Sequence, residues 1–117
     1  MARISTHVLD TAHGRPANGL QIALYAMRAG LRHLVTTAIT NSDGRTSEPL
    51  LSADSIEPGE YEISFHVAEY FRSAGVALPS PPFLDEVTIR FGVSDPHGHY
   101  HVPLLVSPYS YSTYRGS

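Results

Sequence analysis

Short runs rich in Val, Ile, Tyr, Phe and Thr recur along this chain between clusters of Gly, Pro, Asn and Asp, and that alternation restricts the fold more than any other feature. Runs of this length, separated by turn chemistry, build all-β sandwiches or barrels. Eight candidate strands follow: Ile4 to Asp10, Gln21 to Ala29, Leu31 to Thr40, a brief one from Glu48 to Leu51, Glu60 to Val67, Glu86 to Val93, His99 to Val106 and Tyr109 to Arg115. "NSDG" at Asn41 to Gly44 is a hairpin signal, "EPGE" at Glu57 to Glu60 is a turn, and "SDPHG" at Ser94 to Gly98 combines proline with glycine. One stretch breaks the pattern. "AEYFRSA", Ala68 to Ala74, carries helix formers with Gly75 placed as a C-cap and predicts a single short helix. The "GVALPSPPFLDE" beyond it holds three prolines within four residues and reads as an extended loop.

At 117 residues the chain is expected to form one domain, 1–117, around one core. A hydrophobic content of 42% against 16% charged residues lies far from the composition that stays disordered. A net charge of -3, with eight Lys plus Arg and no basic run, leaves no electrostatic footprint for a phosphate backbone, so nucleic acid is not an expected partner. There is no cysteine, which excludes disulfides, thiolate metal ligands and a thiol nucleophile. The N-terminal "MARISTHVLDTAHG" lacks the apolar centre of a secretory signal, and no apolar run is long enough to span a bilayer. The expectation is a soluble cytoplasmic protein with no membrane partner.

Side chains alternate between the two faces of a strand, so parity assigns faces. In the seventh candidate strand Tyr100, Val102, Leu104 and Val106 form the core face, leaving His99, His101, Pro103 and Leu105 outward. In the first, Ile4, Thr6 and Val8 oppose Ser5, His7 and Leu9. In the eighth, Tyr109, Tyr111 and Thr113 oppose Ser110, Ser112 and Tyr114. The outward sets mix imidazoles with apolar and small residues, the signature of an interface or a pocket wall rather than a solvated face. Pro103 is a misfit in a central strand, because it removes a ladder donor; a bulge or a meeting of subunits is the expected explanation.

Three chemistries fit these faces. His97, His99 and His101 form an H-x-H-x-H that could hold a zinc ion, although surface histidines without metal are the commoner case. His7 and His101 could serve metal-free acid/base hydrolysis, since imidazole titrates near neutral pH. Arg45, just past "NSDG", is then either a solvated turn arginine or a fork of donors for a planar, oxygen-rich ligand. Leu9 and Leu105 could instead line the channel of a carrier.

The opening "STHVLDTAHGRPANGLQIALY" and the ending "HYHVPLLVSPYSYSTYRGS" resemble the transthyretin-like family, the ending matching its enzyme branch, which hydrolyses 5-hydroxyisourate in urate degradation. "TNSDGRT" and "FHVAEYF" extend the resemblance over essentially the whole chain, with the terminal "YRGS" its most specific element. The resemblance implies a sandwich of two four-stranded sheets with one short helix. It implies a homotetramer, a dimer of dimers whose edge strands pair across one interface and whose active sites open into a channel between the dimers. It implies no cofactor and a small-molecule substrate, 5-hydroxyisourate, opened to 2-oxo-4-hydroxy-4-carboxy-5-ureidoimidazoline.

Position by position, the family's catalytic residues fall on His7, Arg45 and His101, and its terminal tetrapeptide on Tyr114, Arg115, Gly116 and Ser117. The carrier branch differs at these positions, with Lys, Glu and Thr in place of the two histidines and the arginine. The implied roles are water activation and proton return for His7 and His101, and substrate anchoring for Arg45. Tyr114 would shape the pocket and donate a hydrogen bond, with Arg115, Gly116 and Ser117 supporting the site from the tail. His13, His33, His66, His97 and His99 are left as structural or solvent-facing, His99 being the one among them most expected to touch the site.

Overall fold

A computed structural model describes residues 1–117. Nine strands and one helix follow in chain order: β1 (Ala2–Asp10), β2 (Arg15–Pro16), β3 (Gln21–Arg28), β4 (Leu31–Ile39), β5 (Leu51–Ala53), β6 (Gly59–His66), α1 (Val67–Ser73), β7 (Glu86–Val93), β8 (His99–Val106) and β9 (Tyr111–Thr113). One sheet has four antiparallel strands in the order β4-β3-β6-β7. The other has the order β2-β1-β8-β9, with β5 also paired to β1. The implied pair of four-stranded sheets is thus extended by β2, whose two residues are too few to carry a period-two signal.

The core lies between the sheets and gathers 23 buried apolar residues. Alternation supplies them as parity predicts: Ile4 and Val8 from β1, and Tyr100, Val102, Leu104 and Val106 from β8. Thr6 occupies a core position on β1, and its hydroxyl is satisfied by donating to the Val102 carbonyl at 2.7 Å. The β3–β4 hairpin closes on Ala29 and Gly30, both at positive φ (52° and 75°), as a two-residue turn matching the strand twist requires. Helix α1 buries Val67, Ala68, Tyr70 and Phe71. It ends where the sequence placed Gly75: that residue has φ +87°, its amide donates to the Arg72 carbonyl, and the Val76 amide donates to that of Phe71.

At the end of β1, Asp10 is fully buried. Its carboxylate accepts the Tyr70 hydroxyl at 2.7 Å, the His13 amide at 3.0 Å and contacts His13 Nδ1 at 2.6 Å. Burial alone would raise its pKa, but the hydrogen bonds from Tyr70 and His13 outweigh that and hold it below the ordinary value. Burial, and then the hydrogen bond to Asp10, push the Tyr70 phenol up to about 12.

β1 and β8 run parallel through the middle of their sheet, from Arg3 opposite His99 to Asp10 opposite Val106. The carbonyls of Gly98 and Val106 face β1, accepting from Arg3 and Thr11, whereas that of His101 faces the tail, accepting from Gly116. Odd-numbered positions of β8 therefore turn their backbone groups toward the tail, and the donor missing at Pro103 is missing there, not in the parallel ladder. The β8–β9 ladder stops at Leu104 opposite Thr113 and resumes in the same register at His101 opposite Gly116. Thr113 Oγ1 donates to the Pro103 carbonyl at 2.7 Å within the gap. Pro103 marks an interruption of pairing, and β9 is shorter than expected for that reason at one end. At the other end, the Ser107–Ser110 turn holds Tyr109 and Ser110 out of the ladder.

Candidate active site

The outward face of β1 presents Arg3, Ser5 and His7, and that of β8 presents His99 and His101 beside it, with Ser5 in register with His101. A cavity of about 440 Å³ opens on these two rows. Its walls are Arg3, Ser5 and Thr6 of β1, the loop from Arg45 to Pro49, His99 and His101 of β8, and Ser117 of the tail.

The Arg45 loop is built on "NSDG". Asn41 Oδ1 accepts the amides of Asp43 at 2.9 Å and Arg45 at 3.2 Å, and the Asn41 amide donates back to the Arg45 carbonyl at 2.8 Å. The motif does not make the expected hairpin. Instead of returning along β4, the chain crosses to the other sheet, where the Gly44 carbonyl accepts the Val8 amide at 2.8 Å and Arg45 bridges His7. Gly44 has φ +73°, and a Cβ on it would lie 2.4 Å from the Val8 carbonyl oxygen and 3.3 Å from His7 Cδ2. Only glycine permits that approach. The Thr46 hydroxyl donates to the Glu48 carbonyl and tightens the loop.

His101 is half-buried, and its Nδ1 lies 2.9 Å from Ser5 Oγ. Burial lowers its pKa, and the positive charges of Arg45, His7 and Arg3 lower it further. The lowered pKa favours the neutral ring, the form able to take a proton. None of the five ion pairs includes Arg3 or Arg45. Two guanidiniums without carboxylate partners thus face the same polar cavity as a neutral imidazole, an arrangement suited to an oxygen-rich ligand and to developing negative charge.

The tail approaches from the other side of β8. The Arg115 guanidinium carbon stands 4.4 Å from the centre of the Tyr100 ring, and its NH2 donates to the His99 carbonyl at 3.1 Å. Gly116 is pinned to the His101 backbone, and Ser117 reaches the cavity. Of the expected residues, Arg45, His101 and Ser117 line one cavity, while His7 lies beside it, bridged to Arg45. Tyr114 does not join them. It is 60% exposed and lines a separate groove of about 360 Å³ with Phe91, Tyr100 and Arg115. His97, His99 and His101 form no ligand set, each turning to its own partner: the Asp54 carbonyl, the Met1 carbonyl and Ser5. Arg3 lies before the expected first strand, and Ser5, though on its outward face with His7, carried no expected role; both line the cavity.

The model of the HIUase/Transthyretin family matches residues 4–116. "5-Hydroxyisourate hydrolase 2" of Rhizobium meliloti (strain 1021) is 59% identical over 98% of this chain and 96% of its own length. Among solved structures, that of (S)-allantoin synthase superposes with a TM-score of 0.91 at 44% identity, over 99% of this chain, which spans 44% of the length of that one. Transthyretin of sea bream in complex with thyroxine superposes with a TM-score of 0.86 at 25% identity, over 97% of this chain and 94% of its own. Backbone likeness therefore extends to a thyroxine complex as readily as to an enzyme, and only side chains can separate them. With its model matched over nearly the full length, the chain belongs to the HIUase/Transthyretin family.

Proposed function

We propose that this chain is an enzyme that hydrolyses 5-hydroxyisourate, the substrate named for its 59% identical relative, yielding 2-oxo-4-hydroxy-4-carboxy-5-ureidoimidazoline in urate degradation. One observation favours catalysis over carriage of an apolar ligand: every wall residue of the cavity but Pro49 bears a polar side chain, and an imidazole of lowered pKa stands there with two unpaired guanidiniums.

In the reaction, water adds to the lactam carbonyl of the six-membered ring, the carbon–nitrogen bond breaks, and a carboxylate and a ureido nitrogen result. His101, neutral and facing the cavity, takes the proton from water and returns it to the departing nitrogen. His7 shares that proton traffic from beside the cavity. Arg45 holds the substrate carbonyls and steadies the oxyanion, a kind of electrostatic contribution worth several kcal/mol in other acyl-transfer sites. Gly116 and Arg115 fasten the tail so that Ser117 borders the site.

The same proposal includes a homotetramer, supported by the free edge of β9, where Tyr109, Tyr111 and Tyr114 are 61%, 46% and 60% exposed. Tyr114 then acts on a cavity across that interface, because within its own chain it faces another groove. The cytoplasm is the compartment proposed, and no helix here is long and apolar enough to cross a membrane. Freshly generated 5-hydroxyisourate should lose its near-ultraviolet absorbance much faster with the protein than without, at equal rates with and without chelator. Stoichiometric binding without consumption would favour the carrier.

A further inference from the structure

We propose that Ser5 is a positioning residue for His101: its hydroxyl fixes the imidazole with Nδ1 turned away from substrate, so that Nε2 meets the reacting water. The inference rests on the hydrolase reading above and extends it to a residue outside the set His7, Arg45 and His101. Ser5 and His101 are register partners across the parallel β1–β8 ladder, so their side chains leave the sheet side by side on one face. The Ser5 Oγ to His101 Nδ1 distance is 2.9 Å, and both residues line the same cavity. Rigid strands on both sides set the pair, and on a strand the geometry varies less than on a loop.

A hydroxyl is suited to this place because it can both donate and accept. While His101 is neutral with the proton on Nδ1, that N–H donates to Ser5 and the Nε2 lone pair is free to act as base. When Nε2 gains the proton of water, Nδ1–H keeps its acceptor, so the imidazolium is stabilised as it forms. An alanine at this position would leave the ring to choose its tautomer and orientation. It would also remove the acceptor that favours the charged ring.

The charged and titratable groups facing His101 are Arg3 and His7 from β1, Arg45 and Glu48 from the crossing loop and His99 from its own strand. Ser5→Ala alters none of these charges. Its effect on the pH profile therefore reports the hydrogen bond alone.

The test compares wild type, Ser5→Ala and Ser5→Thr in the absorbance assay across pH, together with nitrogen-15 NMR of His101 in the substrate-free protein. Ser5→Ala should lower kcat/KM by about ten- to a hundredfold, the scale of one lost hydrogen bond to a charged group. Its acid limb should move to lower pH, because the protonated ring has lost its acceptor. Ser5→Thr, which keeps the hydroxyl, should restore most of the rate and the wild-type limb. The NMR signature should show the proton on Nδ1 in wild type and a shift toward Nε2 in Ser5→Ala. An unmoved limb and unchanged tautomer in a folded Ser5→Ala would overturn the proposal, as would an acyl adduct on Ser5 during turnover, which would make it a nucleophile. Were wild type inactive on 5-hydroxyisourate, the hydrolase reading would fall, and the tautomer measurement would still decide the role of Ser5.

Discussion

Gly116 and His101 are locked together twice: the Gly116 amide donates to the His101 carbonyl at 2.8 Å, and a Cβ on Gly116 would lie 2.5 Å from His101 Cδ2. The tail is therefore a wall against which the imidazole rests. Its glycine is required by close approach to the ring, not by backbone freedom.

Gly116→Ala should consequently displace the His101 ring and cost it the Ser5 hydrogen bond. Activity should fall about tenfold or more, while the melting temperature moves little, since the tail lies outside the buried core. Parallel rate and thermal-unfolding measurements check this, and equal losses in both would point to a structural role only.

Gly44→Ala should act differently, because the clash at 2.4 Å is with the Val8 carbonyl oxygen, a backbone atom that cannot swing aside. Combined with its φ of +73°, the change should destabilise the fold by about 1–3 kcal/mol and loosen Arg45 from β1. Denaturant unfolding reads the first effect, and a raised KM the second.

Much of this was legible from alternation. Parity placed Tyr100 and Val102 inward and His7 and His101 outward, because in a two-sheet sandwich one face of each strand must be buried. What parity could not reach is connectivity. "NSDG" has the chemistry of a hairpin, and nothing local says that the next strand pairs with β1 in the other sheet. The brief strand expected from Glu48 to Leu51 lies instead at β5, Leu51–Ala53, since Pro49 cannot donate to a ladder. Ser5 and Arg3 are residue types common on solvated strands, and only the register against β8 gives them meaning. Tyr114 lies in a groove apart from the cavity, a separation that strand parity alone does not reveal.

Tyr70→Phe should expose the cost of an under-satisfied buried carboxylate. Asp10 keeps its His13 contacts but loses one donor, at about 1.5–3 kcal/mol. Because the folded-state pKa of Asp10 is depressed, its stabilisation is present above the unfolded value of about 3.9 and is lost as pH falls through the folded value. Loss of the Tyr70 donor raises that folded pKa, so the acid-unfolding midpoint of Tyr70→Phe should lie at higher pH than that of wild type, as followed by circular dichroism.

The His101 pKa is lowered by burial first and then by Arg45, His7 and Arg3. Arg45→Gln removes the charge with the largest effect among them, so the NMR titration midpoint of His101 should rise toward the ordinary value of about 6.5. A midpoint that stays put would mean that the guanidinium does not act on this ring. The sign for stability is the same as for a depressed carboxylate: the folded protein resists protonation here, so this contribution is full above about pH 6.5 and declines below it.

The central claim is that His101 is the base within a cavity formed by β1, β8, the Arg45 loop and the tail. Stopped-flow decay of 5-hydroxyisourate with wild type and with His101→Ala, both checked for native unfolding and the same assembly state, tests it most directly. The account predicts a rate constant lower by about a hundredfold or more in His101→Ala, on the scale of a lost general base. A folded His101→Ala that turns over at the wild-type rate would contradict it.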